Sequence, residues 1–269
     1  MRRPQGLRAR SFIMRGRWMV LAAALLVFTA SCARAIPGAV EKSTINTSPV
    51  PTSAVGADPR VGAVFVGDKS MHVCSGSVLD SVAGDLIVTA AHCMADGVDA
   101  FFVPGYDKDA DDKDYWRIDA VYLDPRWMAN QDPLADFAIA RVSRDGGGSL
   151  ERQAGGGFAI GSAPGDGTEV TVTGYAIGVG GEQLGCRART GMLHGYPSVP
   201  CAGFVNGTSG APWIANSMVT GVIGGLDGGG CEQDVSYSPP FDGAIKQLLA
   251  RAEAGGPGDA APMGFLSEC

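Results

Sequence analysis

Three short stretches carry residue types that together could activate a hydroxyl. Ser209 lies in Asn206-Gly207-Thr208-Ser209-Gly210-Ala211-Pro212-Trp213, with glycines freeing the backbone on both sides. Bare N–H groups can converge there on one point while the hydroxyl stays exposed. Alone the turn says little, because Ser-Gly turns are common in β-proteins. His92 ends Leu86-Ile87-Val88-Thr89-Ala90-Ala91-His92-Cys93, an apolar run closing in small residues. Asp136 opens Asp136-Phe137-Ala138-Ile139-Ala140-Arg141-Val142; its neighbour Asp132 competes, but Asp136 directly precedes the strand. A nucleophile, a base for its proton, a carboxylate to orient the base and N–H donors for an oxyanion are the parts acyl transfer needs.

The elements that must position these residues read as strands. A chain of 269 residues has room for one sizeable domain, or two small ones sharing a core. With 40 glycines, 16 prolines and only 18% charged residues, its short apolar runs between turns predict an all-β protein. Strands are expected at 60–66, 72–79, 116–122, 168–175 and 218–224. The glycine-rich stretch Asp145–Gly157 is a natural connection between two halves, and Ile245, Leu248, Leu249 and Ala252 recur at helical spacing.

The N-terminus is set aside first. Seven arginines in residues 1–34 flank the apolar run Trp18–Phe28, which is too short to span a bilayer permanently and reads as a secretory signal peptide. Arg2-Arg3 fits twin-arginine export poorly. Ala33-Arg34-Ala35 has the form of an ordinary cleavage site, placing the signal peptide at 1–35; Thr29-Ala30-Ser31-Cys32 resembles a lipobox, the alternative being a lipoprotein anchored through Cys32. Residues 36–59, rich in Ser, Thr, Pro and Ala, read as a flexible linker or short pro-segment, with a formal glycosylation sequon at Asn46. Loss of residues 1–35 removes seven arginines and no acid from 21 Lys+Arg and 28 Asp+Glu, leaving 14 against 28 and a net charge of −14. Nucleic acid and anionic membrane are thereby disfavoured as partners, and no integral span remains. Asp107–Asp114 alternates aspartates that offer oxygens to Ca²⁺, but it lacks the glycine and final glutamate of an EF-hand and reads as a solvated loop. No other metal site or cofactor is expected.

Both processing readings take Cys32 out of disulfide chemistry, and the remaining six cysteines suggest three bridges. Cys93 lies beside His92 and can reach back to Cys74, which would pin the histidine's loop to the neighbouring strand. Cys186–Cys201 is a local closure that leaves Cys231–Cys269 to tether the tail. Neither spacing nor nearby histidines suggest zinc.

Thr89-Ala90-Ala91-His92-Cys93 resembles the histidine motif of the chymotrypsin-like (trypsin-like) serine proteases. Asp136-Phe137-Ala138-Ile139 resembles the family's aspartate segment, and the order His92, Asp136, Ser209 is the family's order. The resemblance covers roughly residues 60–255. It implies two six-stranded antiparallel β-barrels, about 60–150 and 151–241, a C-terminal helix at 242–254 and a tail at 256–269. It further implies that Ser209 attacks, His92 serves as base and then acid, Asp136 orients it, and the N–H groups of Gly207 and Ser209 bind the oxyanion. The implied function is a secreted, monomeric endopeptidase acting on proteins or peptides. A catalytically silent binding relative and a lipid-anchored adhesion protein are the alternatives. Cys201–Cys231 is the rival pairing, resembling the family's bridge beside the substrate pocket.

Two departures matter. Thr208 stands where trypsin and chymotrypsin carry an aspartate for a newly freed N-terminus, so Arg60-Val61-Gly62 lacks its switch partner; the turn looks more like secreted V8-like glutamyl endopeptidases. Gly203 and Phe204 stand where trypsin has a pocket aspartate, so cleavage after Lys or Arg is not supported. A glutamate preference would want a cation near the pocket, and the one unassigned histidine of the second half, His194, reads as a loop residue.

Overall fold

Alternating apolar residues with small or β-branched neighbours give strands almost throughout. The computed structural model describes residues 48–177, 181–230 and 234–262. Two short strands come first, β1 (Val50–Pro51) and β2 (Ser53–Ala54). The first half then contains β3 (Val61–Val66), β4 (His72–Val78), β5 (Leu86–Thr89), β6 (Ala100–Pro104), β7 (Trp116–Leu123), α1 (Pro125–Asn130) and β8 (Ala138–Ser143). Its strands close into a barrel in the order β3-β4-β5-β8-β7-β6, every pair antiparallel. Closure removes the exposed sheet edges that otherwise invite mispairing. Val64, Val78, Ile87, Phe102, Trp116 and Ala140 fill part of its core.

After α2 (Leu150–Ala154) come β9 (Ala159–Ile160), β10 (Glu169–Gly174), β11 (Leu184–Arg189), β12 (Gly191–Leu193), β13 (Tyr196–Val199), β14 (Cys201–Ala202), β15 (Pro212–Ala215), β16 (Met218–Val222) and β17 (Ser236–Tyr237). Six strands form one sheet, β2-β11-β10-β15-β16-β9, beside a smaller sheet β12-β13-β17. The all-β class and the C-terminal helix follow the sequence reading. Among the described residues only the first barrel has a closed strand order, and the second half includes a parallel pair, β9–β16. Its far edge is taken by β2, borrowed from upstream of the first barrel.

Residues 48–59, read as part of a flexible linker, are therefore hydrogen-bonded to the second half. β1 pairs in parallel with β14, and β2 pairs with β11. Their low hydrophobicity misleads because the backbone, rather than apolar side chains, holds them.

The helix α3 (Gly243–Ala254) is started by Asp242, whose carboxylate accepts from the Ala244 N–H. It buries Ile245, Leu248 and Ala252 in a core shared by the two halves, with Phe137, Tyr175, Val222 and Phe241. Each large side chain so buried contributes about 1.5–3 kcal/mol. Beyond it the chain returns to the first barrel: the Asp259 N–H donates to Val121 O at 2.8 Å, and the Asp259 carboxylate accepts from Leu123 N–H.

Candidate active site

Strand register brings His92 and Asp136 together. β5 and β8 are antiparallel neighbours with Thr89 opposite Ala138, so the chain leaving β5 and the chain entering β8 meet at one barrel edge. His92 lies three residues past Thr89 in a single 3-10 turn (Ala91–Cys93), and Asp136 lies two residues before Ala138, after another (Pro133–Ala135). The His92 ring nitrogen Nδ1 is 2.7 Å from Asp136 Oδ2, and the His92 backbone N–H donates to Oδ1 at 2.9 Å. A third donor, the Gly225 N–H, reaches Oδ2 at 2.8 Å. Asp132 instead caps the turn, accepting from Leu134 N–H at 2.9 Å.

The electrostatics follow from burial. His92 is 8% exposed and Asp136 1%. Burial works against the imidazolium, but the charge and hydrogen bond of Asp136 outweigh it and hold the His92 pKa above its ordinary 6.5. Burial also works against the carboxylate; the charge and hydrogen bond of His92, with the N–H groups of Gly225 and His92, overcome it and keep Asp136 below the usual carboxylate range. An ionised Asp136 accepting from Nδ1 fixes the proton there and leaves Nε2 as the basic nitrogen.

A disulfide joins Cys74 on β4 to Cys93, tying the histidine turn to the neighbouring strand. A loop of this length is worth about 3 kcal/mol in the chain-entropy model. The second disulfide, Cys186–Cys201, links β11 to β14 and so excludes the Cys201–Cys231 pairing. Cys231 and Cys269 lie outside the described residues, as do Cys32, Asn46 and residues 1–35, read as a signal peptide. Among the described residues the one His/Cys/carboxylate group tight enough to hold a metal is Cys74, His92 and Cys93, and its two sulfurs are bonded to each other.

Ser209 is half-buried in a turn whose peptides are fixed one by one. Asn206 C=O accepts from Ile177 N–H at 2.8 Å, and Thr208 C=O accepts from Ala211 N–H at 2.9 Å. In a trans peptide the N–H points opposite to the carbonyl. The N–H groups of Gly207 and Ser209 are thus turned away from those partners, and neither donates to a described residue. Between them, Gly207 C=O accepts from Ser75 Oγ at 2.9 Å. Thr208 is buried; its hydroxyl donates to Val205 O at 2.8 Å, a neutral anchor in place of a charged one.

Ser75 on β4 is the residue that the motif search missed. It is fully buried, and its N–H donates to Ser209 O at 2.7 Å. Its hydroxyl also accepts from Tyr175 N–H at 2.9 Å, and its carbonyl accepts from Thr89 Oγ1 at 2.7 Å. Serine turn and histidine strand are joined through this residue. Gly210, at φ +81°, lies so close that an added Cβ would run into Ser75 O, Thr89 Oγ1 and Ala90 N. A hydroxyl at a buried strand position, beside Cys74, was the only advance signal.

The other residues singled out lie elsewhere. His194 is exposed at the β12–β13 turn, its ring 6.3 Å from that of Tyr237. In the acidic loop, Asp112 pairs with Lys69 at 3.0 Å and Asp111 with Lys113 at 3.0 Å. Phe204 is buried with Ile223 in the apolar cluster under the serine turn.

A closed β-barrel whose edge presents a buried His–Asp pair against a serine turn is the arrangement of a serine hydrolase. The Trypsin family model matches residues 45–240. The chain belongs to the trypsin family, a family of serine endopeptidases. The fold is shared with the protease Anisep from Arthrobacter nicotinovorans (TM-score 0.66, 21% identity, 76% of this chain and 100% of that one). It is also shared with AL20, a thermostable serine protease from an extremophilic microorganism (0.64, 21%, 74% and 99%), and with a Glu endopeptidase (0.61, 15%, 78% and 99%). No curated protein matches the sequence.

Proposed function

We propose that the chain is an exported endopeptidase that cleaves protein or peptide substrates through an acyl-enzyme on Ser209. The observation that carries this reading is the buried His92–Asp136 pair, at 2.7 Å, beside a turn with two N–H groups that donate to no described residue. His92 Nε2 takes the Ser209 proton as Oγ attacks the scissile carbonyl, and the tetrahedral oxyanion is received by the N–H groups of Gly207 and Ser209. The imidazolium then gives its proton to the leaving amine, and a water repeats the sequence to release the acid. Contacts to the nucleophile commonly tighten only when substrate is bound, so the pair and the donors, both preset, are what the fold must supply. Two disulfides fit an oxidising compartment, and no helix among the described residues is long and apolar enough to cross a membrane.

Labelling with a fluorophosphonate probe tests the reading. The parent protein is expected to label and Ser209→Ala is not. A parent that folds with both disulfides formed and does not label would overturn the hydrolase reading, making the region around His92 and Ser209 a binding site.

A further inference from the structure

The segment ahead of the first barrel reaches the chain that leads into the serine turn. Val50 N–H donates to Pro200 O and Thr52 N–H to Ala202 O, both at 2.8 Å. The next residue, Gly203, is at φ +98°, and an added Cβ there would lie 2.5 Å from Thr52 Oγ1. Four residues on is Gly207, whose N–H is one of the two that donate to no described residue. Further along, the segment is fastened again: Val55 N–H donates to Gln183 O, and the Gln183 side chain accepts from Asp58 N–H and donates to Asp58 O, all at 2.9 Å.

The Arg60–Val61 bond lies at the end of this strap. The Arg60 guanidinium is paired with Asp58 at 2.7 Å and stacked 4.0 Å from the Phe158 ring, and Val61 is fully buried with its N–H on Asp58 O. A cut there would free a charged amine at a buried residue, while Thr208, next to the nucleophile, has no charge with which to receive one. The turn itself is held by Ile177, Ser75 and Ile223, and the strap holds the strand that leads into it, as far as Gly203.

From this arrangement we infer that residues 50–58 are a permanent positioning strap for the oxyanion turn. The chain is then competent with the Arg60–Val61 bond intact, and losing the strap slows it. The inference rests on the hydrolase reading above. It sets the segment's role opposite to that of an inhibitory pro-segment.

The test compares fluorophosphonate labelling of the full chain, a chain beginning at Val61, Thr52→Pro and Thr52→Ser. Proline removes the Thr52 N–H, whereas serine keeps both it and a hydroxyl. The Val61 chain and Thr52→Pro are expected to label roughly tenfold slower or more, as for a misaligned oxyanion donor. The loss should fall on the maximal rate rather than on the probe concentration giving half of it, and Thr52→Ser should keep the parental rate. If the Val61 chain does not fold, the Thr52→Pro and Thr52→Ser pair decides. A Val61 chain that labels as fast as the full chain or faster, or equal rates for the two Thr52 variants, overturns the strap. A full chain that does not label overturns the hydrolase reading, and the strap with it.

Discussion

The two halves of the molecule deliver their parts of the site by different means. The first barrel closes on itself and presents side chains: His92 and Asp136 leave adjacent antiparallel strands and bond directly. The second half is built on a six-stranded sheet that, among the described residues, takes its edge strand from upstream of the first barrel, and what it presents is mostly backbone. Around Ser209, carbonyls are held by Ile177, Ser75 and Ala211 so that two N–H groups have no acceptor among the described residues. A side-chain pair tolerates no change of chemistry. A backbone device tolerates no change of shape or of what clamps it.

The sharpest break on the side-chain half is Asp136→Asn. The amide would donate toward Nδ1, move the ring proton to Nε2 and, on the proposed mechanism, leave no base for the Ser209 hydroxyl. By analogy with the serine-protease triad, kcat should fall by about 10⁴-fold, roughly 5 kcal/mol of transition-state stabilisation. The pH profile should move with it. His92 is held above 6.5 in the parent, so activity rises with pH through that raised pKa, and the rise should shift to lower pH in the variant. Residual rates of parent and variant measured across pH 5–9 check both statements.

On the backbone half the counterpart is Gly210→Ala. The residue is at φ +81°, and its new Cβ would collide with the Ser75 carbonyl and the Thr89 hydroxyl. Strain and displacement together should cost about 3 kcal/mol. For a domain of this size that is a fall of roughly 10 °C in Tm, readable by calorimetry. A variant with parental Tm would mean that the two halves are not pressed together at this point.

The same division explains what could be read in advance. His92, Asp136 and Ser209 each stand in a local context that suggests the proposed chemistry, and Cys93 beside His92 points to Cys74, whereas the sequence leaves the partner of Cys201 open between Cys186 and Cys231. The all-β class follows from alternation and turn residues. Ser75, Ile177 and Gly225 carried no such signal, because their contribution is a hydrogen bond to a residue 132, 29 or 89 positions away. The strands at 50–54 were illegible for the same reason: their few apolar side chains are exposed, and only the pairing with β14 and β11 reveals them.

A milder probe of the backbone device is Ser75→Ala. It leaves Gly207 O and Tyr175 N–H buried without their hydroxyl partner, while the bond from Ser75 N–H to Ser209 O survives. An unsatisfied buried group costs about 1–3 kcal/mol. If part of that cost falls on the orientation of the Gly207 peptide, kcat should drop about tenfold or more while KM holds. A loss of Tm with kcat intact would show that the bond serves folding alone.

The smallest expected effect concerns His72, the barrel's other buried histidine, and it runs opposite to His92. His72 packs among the rings of Phe65, Tyr106 and Tyr175, and its Nδ1 is buried without a hydrogen-bond partner among the described residues. Burial holds its pKa below 6.5. As pH falls through 6.5 the unfolded chain takes up a proton that the folded ring refuses, so stability declines until the folded pKa is passed, by at most about 1.4 kcal/mol per pH unit. His92, raised by Asp136, contributes stability that is complete below 6.5 and lost as pH climbs through its folded pKa. The lowered carboxylates of Asp58, Asp124 and Asp136 lose theirs only below about pH 4. Urea unfolding between about pH 6 and 5, below the range in which the His92 contribution changes and above that of the carboxylates, therefore isolates His72. His72→Phe should flatten the decline in that window, and an unchanged slope would place the acid sensitivity outside the aromatic cluster.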